Sequence, residues 1–188
     1  MKIETVWSSP NEHGLTAAAK DAVILGARQG GAEVGELWLN RFRLEHCRAC
    51  GSGWGTCRTE GRCVLQDDFE EIYARLRAAD GIVFVTAVYW HDQTECMKAF
   101  LDRLRRCETA HNGALEGRRC LLAACAGGTG NGATECLVKL EEYLRHMGMR
   151  AYDRVPVVRF SRGYMLPALT GAGKAYAAAL RDGFDMQY

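Results

Sequence analysis

The sequence has 188 residues, a net charge of +1 and nine cysteines, and this length predicts a single domain over residues 1–188. A chain of this size buries about 70% of the surface that its unfolded form exposes, so it needs no disulfide or metal to fold. The near-neutral charge without a basic run argues against a dedicated nucleic-acid binder, and no apolar run reaches the ~18 residues of a membrane span.

The chain opens with a predicted strand, helix and strand joined by short links. Residues 2–7 read as the first strand, and the helix that follows carries small residues on one face. Gly30 and Gly31 end this helix, and residues 32–39 form the second strand. Links this short predict a βαβ unit with a right-handed crossover.

A polar loop connects the first strand to its helix. Hydroxyl and amide side chains surround Gly14 just before the helix begins, at Ser8, Ser9, Asn11 and Thr16. Together with the free N–H groups of a helix start they can form an anion site, and the alternative is an ordinary helix cap in a serine-proline turn. Neither G-x-G-x-x-G nor G-x-x-x-x-G-K-[ST] occurs, which disfavours both large nucleotide-binding families.

Residues 40–66 lose all periodicity and contain four cysteines among glycines, spaced Cys47-x2-Cys50-x6-Cys57-x5-Cys63. Four thiolates on a flexible backbone suit a [4Fe-4S] cluster, a zinc site is a second possibility, and metal-free thiols are the third. The other five cysteines lie in helix or strand patterns, where cysteine acts as a small hydrophobe: Cys96, Cys107, Cys120, Cys125 and Cys136. No signal peptide precedes the first strand, so the expected location is the cytoplasm, where thiols stay reduced.

The central strand of the predicted sheet lies between two helices. A capping box at Asp67 and Glu70 predicts the start of the first. Residues 81–88 are a nearly unbroken apolar run rich in β-branched residues, which is typical of a strand buried on both faces of a parallel sheet. The strand ends at Tyr89 and Trp90, which form either a wall for a flat ligand or half-buried packing.

The last third of the chain continues the alternation of strands and helices. Residues 120–125 form another strand that is apolar throughout, and the glycine-rich segment 126–132 joins it to a helix. Residues 155–158 form a fifth strand, which its proline confines to a sheet edge, and a last helix runs from about Leu166 to Leu180. Five strands alternating with five helices predict a three-layer α/β sandwich.

Loops that leave the carboxyl ends of parallel strands share one edge of a sheet, where ligands bind. The loops after the first, third and fourth strands should therefore meet there. They offer an anion site, an aromatic wall and a rim of backbone N–H groups in the glycine loop. These three features fit a phosphorylated planar ring system, which is flavin mononucleotide (FMN) in outline.

Four stretches carry a specific resemblance to a known family. They are the loop from Ser9-Pro10 to Gly14 and Thr16, the segment Asp67-Asp68-Phe69 leading to Ala79-Asp80-Gly81-Ile82-Val83, the pair formed by Val88-Tyr89-Trp90 and Lys98 to Arg103, and the glycine loop after the fourth strand. With them the chain resembles the NADPH-dependent FMN reductases of the flavodoxin-like superfamily, and within these the iron-sulfur flavoproteins. The resemblance implies a flavodoxin-like fold with a five-stranded parallel sheet of order 2-1-3-4-5.

The resemblance also implies which residues hold the cofactor FMN. Phosphate contacts are implied for Ser9, Asn11, Gly14 and Thr16. Ring contacts are implied for Ala87, Val88, Tyr89 and Trp90, and rim contacts for Gly127, Gly128 and Gly132. His91 is a candidate hydrogen-bond partner of the ring or a substrate, although a loop histidine is more often solvated. The chain departs from the family at Leu15, Ala87 and His91, where the family has Asn, Pro and Gly.

The implied activity is that of an FMN-dependent oxidoreductase. It would take electrons from NAD(P)H or from a reduced protein such as a ferredoxin, and pass them to a quinone, a flavin or another small acceptor. The iron-sulfur flavoproteins also imply a [4Fe-4S] cluster in the cysteine loop, although their motif has a shorter gap between the second and third cysteines. A homodimer or homotetramer is implied as well. The rival functions are a non-catalytic electron carrier and a metal-held binding domain with an empty crevice.

Overall fold

The computed structural model describes residues 1–110 and 113–183, which fold around one sheet. Its strands are β1 (Lys2–Ser8), β2 (Glu33–Trp38), β3 (Gly81–Tyr89), β4 (Asp92–Gln93), β5 (Arg119–Ala126) and β6 (Arg150–Val158). Its helices are α1 (Leu15–Gln29), α2 (Thr56–Thr59), α3 (Phe69–Arg77), α4 (Glu95–Glu108), α5 (Ala133–His146) and α6 (Arg162–Asp182). Within these described ranges, no helix combines the length and the apolar character needed to cross a membrane.

The five long strands are parallel and lie in the order β2-β1-β3-β5-β6. Numbered among themselves, they have the predicted order 2-1-3-4-5, which is confirmed. The predicted count of five strands is wrong, because Asp92 and Gln93 form a sixth strand, β4, antiparallel to the end of β3. Two residues behind a tight turn are too few to give a periodicity that the sequence could reveal.

Two helical layers cover the sheet because its central strands are apolar on both faces. Ile82 and Phe84 of β3 pack into a core with Phe100 of α4 and with the buried residues of α3 and α5. Val83 and Val85 belong to a second core, which β3 shares with α1 and α6. The alternation along β3 therefore produces the three-layer sandwich that the sequence predicted.

The last strand and the last helix extend beyond their predicted bounds. β6 begins at Arg150 rather than at Val155, and α6 begins at Arg162 rather than near Leu166. β6 lies at one end of the strand order, which confirms the edge position predicted from its proline. Its first half was missed because several of these edge residues are exposed and polar, so that the apolar pattern starts only at Val155.

The capping box predicted at Asp67 and Glu70 is wrong. The N-cap residue of α3 makes no side-chain cap, and Glu70 pairs with Arg77 of its own helix. The Asp67 carboxylate keeps a 3.3 Å contact with the Phe69 N–H, but its main partner is Arg103 of α4, at 2.6 Å. A hydrogen bond between two charged groups is about twice as strong as a neutral one, so the tertiary contact overrides the local motif.

Tyr176 of α6 anchors the start of the central strands through its buried hydroxyl. The hydroxyl accepts a hydrogen bond from the Ile82 N–H (2.9 Å) and donates one to the Arg119 carbonyl (2.7 Å). Tyr176→Phe should lower the free energy of unfolding by about 1 to 3 kcal/mol, because both backbone groups lose a partner in a dry environment. Urea denaturation measures this loss. Tyr164→Phe, at an exposed position of the same helix, should stay within about 0.5 kcal/mol of the wild type, and equal losses in both variants would contradict the role of the hydroxyl.

Candidate functional site

The carboxyl ends of β1, β3 and β5 lie side by side. Ser8 pairs with Thr86 at the ends of β1 and β3, and Ala87 pairs with Cys125 at the ends of β3 and β5. The loops that follow these strands therefore leave the sheet at one edge. This confirms the predicted meeting of the loops after the first, third and fourth long strands.

The loop between β1 and α1 leaves the start of the helix open to an anion. Gly14 is the N-cap of α1, no side chain caps it, and the first turn carries no acidic residue. The N–H groups of a helix start are then donors for a ligand, and the helix dipole favours negative charge. Ser9 and Thr16 are buried beside this start, whereas Asn11 is exposed. The alternative reading, an ordinary helix cap, lacks its side-chain hydrogen bond.

Hydrogen bonds within this loop fix its shape. Ser9 Oγ accepts from the Asn11 N–H (3.2 Å), and Asn11 Oδ1 accepts from the His13 N–H (3.0 Å). A Cβ at position 14 would lie only 3.0 Å from Asn11 Nδ2, so Gly14 lets this amide approach the helix start closely. The loop is therefore ordered by its own residues before any ligand is considered.

Two side chains that the sequence reasoning did not single out support the loop. Asn40 Oδ1 accepts from the Ser9 N–H (2.9 Å) and from Ser8 Oγ (3.1 Å), while Trp38 Nε1 donates to the Ser9 carbonyl (2.9 Å). Trp38 stacks on Trp7 with ring centroids 4.7 Å apart. The signal for them was topological, because Trp38 ends β2 and Asn40 follows it, and parallel strands β1 and β2 end at the same edge of the sheet.

A strained hairpin carries the predicted aromatic wall. Tyr89 pairs with Asp92, and the two residues between them have positive φ, 47° at Trp90 and 65° at His91. This pattern is that of a type I′ turn, which usually contains Asn-Gly or another glycine pair. Non-glycine residues in this region cost about 1 to 3 kcal/mol each, and such strain concentrates at functional sites. Trp90 is 91% exposed, so burial of its ring does not repay that cost.

The other predicted ring residues lie just before this hairpin. Ala87 and Val88 are half-buried at the end of β3, and Tyr89 is exposed. Partial burial and the neighbouring Glu95 carboxylate raise the pKa of Tyr89, so its phenol keeps its proton at neutral pH. The strand end therefore presents neutral apolar and aromatic groups, as a wall for a flat ring requires.

The glycine loop after β5 touches the hairpin and leaves open space beside it. A Cβ at position 132 would lie 2.8 Å from His91 Cα, so Gly132, with φ of 85°, allows the two loops to pack. His91 Nδ1 also lies 3.8 Å from Glu135 of α5. By contrast, apart from their chain neighbours, no atom of residues 1–110 or 113–183 lies within 4 Å of a Cβ placed on Gly127 or Gly128. The predicted rim is therefore packed against the hairpin at Gly132 and has open space beside it at Gly127 and Gly128.

The cysteine loop is closed at its base by Asp67 and Asp68. Asp67 Oδ2 accepts from the Glu45 N–H (2.8 Å), and Asp68 Oδ2 accepts from the Arg43 N–H (2.6 Å). The Asp68 N–H returns a hydrogen bond to the Arg43 carbonyl (3.1 Å). Residues 46–66 therefore form a loop whose two ends are held together, and this loop contains all four predicted ligands.

Arg103 of α4 lies beneath this base. Its side chain and that of Asp67 are each 1% exposed. Nη1 donates to Asp67 Oδ2 (2.6 Å) and to the Glu45 carbonyl (3.1 Å), and Nη2 donates to Asp67 Oδ1 (2.7 Å). The guanidinium carbon lies 4.4 Å from the centre of the Phe69 ring. This fork fixes the position and the direction of the arginine.

The four loop cysteines line one cavity, whose floor is formed by α4. The side chains that meet there include Cys47, Cys50, Cys57, Cys63, Arg103, Arg106 and Cys107. Cys107 is buried as expected of a small hydrophobe, but it is also a fifth thiol of this cavity. Burial, and to a smaller extent the neighbouring Cys63 and Cys57, raises the pKa of Cys107 to about 12. Across the two described ranges, no three His, Cys, Asp or Glu side chains are arranged to hold a metal ion.

Comparisons with known proteins identify a family from the sequence and a fold from solved structures. Residues 1–161 match the family of NADPH-dependent FMN reductases. An iron-sulfur flavoprotein of Methanosarcina thermophila is 31% identical over 153 residues, which cover 79% of this chain and 75% of that protein. Among solved structures, a flavone reductase superposes with a TM-score of 0.75 at 19% identity, over 100% of this chain and 66% of its own. A flavodoxin from the domain Archaea superposes with a TM-score of 0.66 at 16% identity, over 96% and 99% of the two chains.

The two structural likenesses show the fold, because sequence identity this low carries nothing further. The family match extends over β1 to the turn before α6, which includes every loop of the sheet edge described above. The chain therefore belongs to the NADPH-dependent FMN reductase family, in its iron-sulfur flavoprotein branch, and is an FMN-dependent oxidoreductase with a flavodoxin-like fold.

Proposed function

We propose that this protein binds FMN at the sheet edge where the loops after β1, β3 and β5 meet, and passes electrons from NAD(P)H or a reduced protein to a small acceptor. A quinone or a free flavin would be the acceptor of these electrons. The observation that carries the proposal is the junction of an uncapped helix start, a strained aromatic hairpin and an open glycine loop at one edge.

The start of α1 would hold the phosphate. Its N–H groups and dipole supply attraction without a lysine. The loop side chains would add hydroxyl and amide donors, from Ser9, Asn11 and Thr16, around the glycine N-cap Gly14. A dianionic group is recognised well by such donors, because hydrogen bonds to charged groups contribute about 1.5 to 3 kcal/mol each.

The hairpin and the glycine loop would enclose the ring. Ala87, Val88, Tyr89 and Trp90 would form its wall, and the backbone of Gly127, Gly128 and Gly132 would approach its polar rim. Bound FMN supplies the hydride and electron chemistry, which the protein itself does not need to provide. Backbone N–H groups at the rim would stabilise negative charge on the reduced ring. His91 as a hydrogen-bond partner of ring or substrate stays a prediction.

We propose further that the cysteine loop holds a [4Fe-4S] cluster through Cys47, Cys50, Cys57 and Cys63. All four thiols line the same cavity, and the arginines of its floor offset the negative charge of a thiolate-bound cluster. Arg103 Nε is buried and has no hydrogen-bond partner among the described residues, so the cavity contains a donor without an acceptor. A sulfur-rich anionic group would supply that acceptor.

The cavity also favours a second candidate function, that of an electron carrier between proteins. A cluster exchanges single electrons, and a ferredoxin-type partner would then replace the small acceptor. Steady-state turnover separates the two. An enzyme oxidises NAD(P)H continuously when a quinone or a flavin is present, whereas a carrier is reduced once and stops. A homodimer or homotetramer, which the family implies, stays a prediction that gel filtration can check.

The test begins with protein purified without oxygen. We expect a flavin absorption spectrum that dithionite bleaches, together with iron and acid-labile sulfide in equal amounts. Oxidation of NADH and NADPH is then followed with a quinone and with a free flavin as acceptors. A colourless protein that takes up no added FMN contradicts the flavin site. Absence of iron and sulfide contradicts the cluster and leaves zinc analysis to distinguish a zinc site from free thiols.

A further inference from the structure

We infer that Arg103, oriented by Asp67, donates a hydrogen bond from Nε to a sulfur of the cluster in the cysteine cavity and thereby raises the reduction potential of the cluster. This inference rests on the proposed function, because it requires the cluster to be present. It adds a tuning residue from α4 to a site whose ligands all come from the loop.

The hydrogen bonds of Arg103 leave its Nε–H donor without an acceptor among the described residues. A guanidinium has five N–H donors in a rigid plane. Asp67 and the Glu45 carbonyl take three of the four N–H groups on Nη1 and Nη2, while the buried Nε has no partner among the described residues. A buried donor that lacks an acceptor is destabilising, so a native structure rarely keeps one without a use. The spare N–H is therefore available to the cavity that Arg103 lines.

Arg103 and the four loop cysteines line the same cavity, so a cluster held there would bring sulfur to the spare N–H. Arg106, the other arginine of the cavity floor, has different partners. Its Nη1 donates to the Gly53 carbonyl, and its guanidinium stacks on Trp54.

A fixed cation and a hydrogen bond at a ligand sulfur both favour the reduced cluster. Reduction adds one electron, which an external donor supplies, and the added negative charge spreads onto the sulfurs. Hydrogen bonds to these sulfurs and nearby charge are among the factors that set cluster potentials. Asp67 offsets part of the positive charge of Arg103, but its fork holds the plane of the guanidinium so that Nε stays directed away from it.

The experiment compares cluster potentials in protein that retains its iron. Arg103→Gln should lower the equilibrium constant for reduction by about tenfold, which corresponds to about 59 mV for one electron. Arg103→Lys keeps the charge but loses the planar donor, so its potential should lie between those of Arg103→Gln and the wild type. Arg105→Gln removes the same charge from the same helix outside the cavity and should leave the potential unchanged. Potentials are measured by redox titration followed by electron paramagnetic resonance.

Iron and sulfide analysis of each protein separates the possible failures. A wild-type protein without iron overturns the cluster, and the inference with it. Wild-type and Arg103→Lys proteins with equal iron and equal potentials overturn the inference alone. If Arg103→Gln does not fold, Arg103→Lys carries the test, because a lysine can still pair with Asp67. A shift of the reduction potential in Arg105→Gln as large as that in Arg103→Gln also overturns the inference, because the loss of any nearby positive charge would then explain the shift without a hydrogen bond.

Discussion

Arg103→Leu is expected to lower the free energy of unfolding by about 3 to 5 kcal/mol, the usual cost of removing one partner of a buried ion pair. The Asp67 carboxylate, 1% exposed, would lose both hydrogen bonds of the fork and remain in a dry environment. Urea denaturation of the metal-free protein measures the loss without any contribution from a cluster. Arg105→Leu, a partly exposed position on the same helix, should change the free energy by no more than about 0.5 kcal/mol.

The pH dependence of the free energy of unfolding tests the same ion pair in a second way. Burial would raise the pKa of Asp67, but hydrogen bonds from Arg103 and from backbone N–H groups outweigh it and lower the pKa below 3.8. A carboxylate with a lowered folded-state pKa stabilises the protein above its unfolded-state value, and that contribution disappears as the pH falls through the folded value. The stability difference between the wild type and Asp67→Asn should therefore be constant at neutral pH and shrink below about pH 3.8. A difference that grows in acid would contradict the ion pair.

Gly128→Val is expected to weaken FMN binding at least tenfold, or about 1.4 kcal/mol, while the free energy of unfolding stays unchanged within about 0.5 kcal/mol. Among the residues that the structure describes, none beyond the chain neighbours has an atom within 4 Å of a Cβ at this position, so the valine side chain would extend into the space proposed for the ring. Forcing extra methyl groups into an occupied site costs about 1 to 3 kcal/mol. Fluorescence titration of the FMN-free protein measures the dissociation constant.

Gly171→Val provides the matched control. A Cβ at this position also has open space around it in the described part of the chain, but Gly171 lies within α6 and away from the three loops of the edge. It should leave FMN affinity at the wild-type value. Unchanged affinity in Gly128→Val would show that the ring lies elsewhere. Loss of both affinity and stability would show instead that the glycine loop does not tolerate side chains for reasons of folding.

The sequence predicted the framework because the framework depends on local patterns. The apolar runs at residues 81–88 and 120–125 correspond to β3 and β5, and the strand order follows that of the family. The edge that joins the β1, β3 and β5 loops follows from parallel strands alone. Features that needed a partner elsewhere in the chain were missed: the two-residue strand β4, the support of Ser9 by Asn40, and the ion pair of Asp67.

By itself, the sequence determined the layers, the parallel sheet and the four-cysteine loop. The period of the hydrophobic residues indicates which faces of a helix or strand are buried, and the spacing of the cysteines is visible directly. Only the tertiary structure decided what lies beneath that loop. Asp67 looked like a helix cap because its neighbours fit the motif, but Arg103, 36 positions later, competes for the same carboxylate. Cys107 looked like a core residue, and it is also part of the cavity wall. Ion pairs and cavities join segments distant in the chain, so no local pattern encodes them and only the packed fold brings their members together.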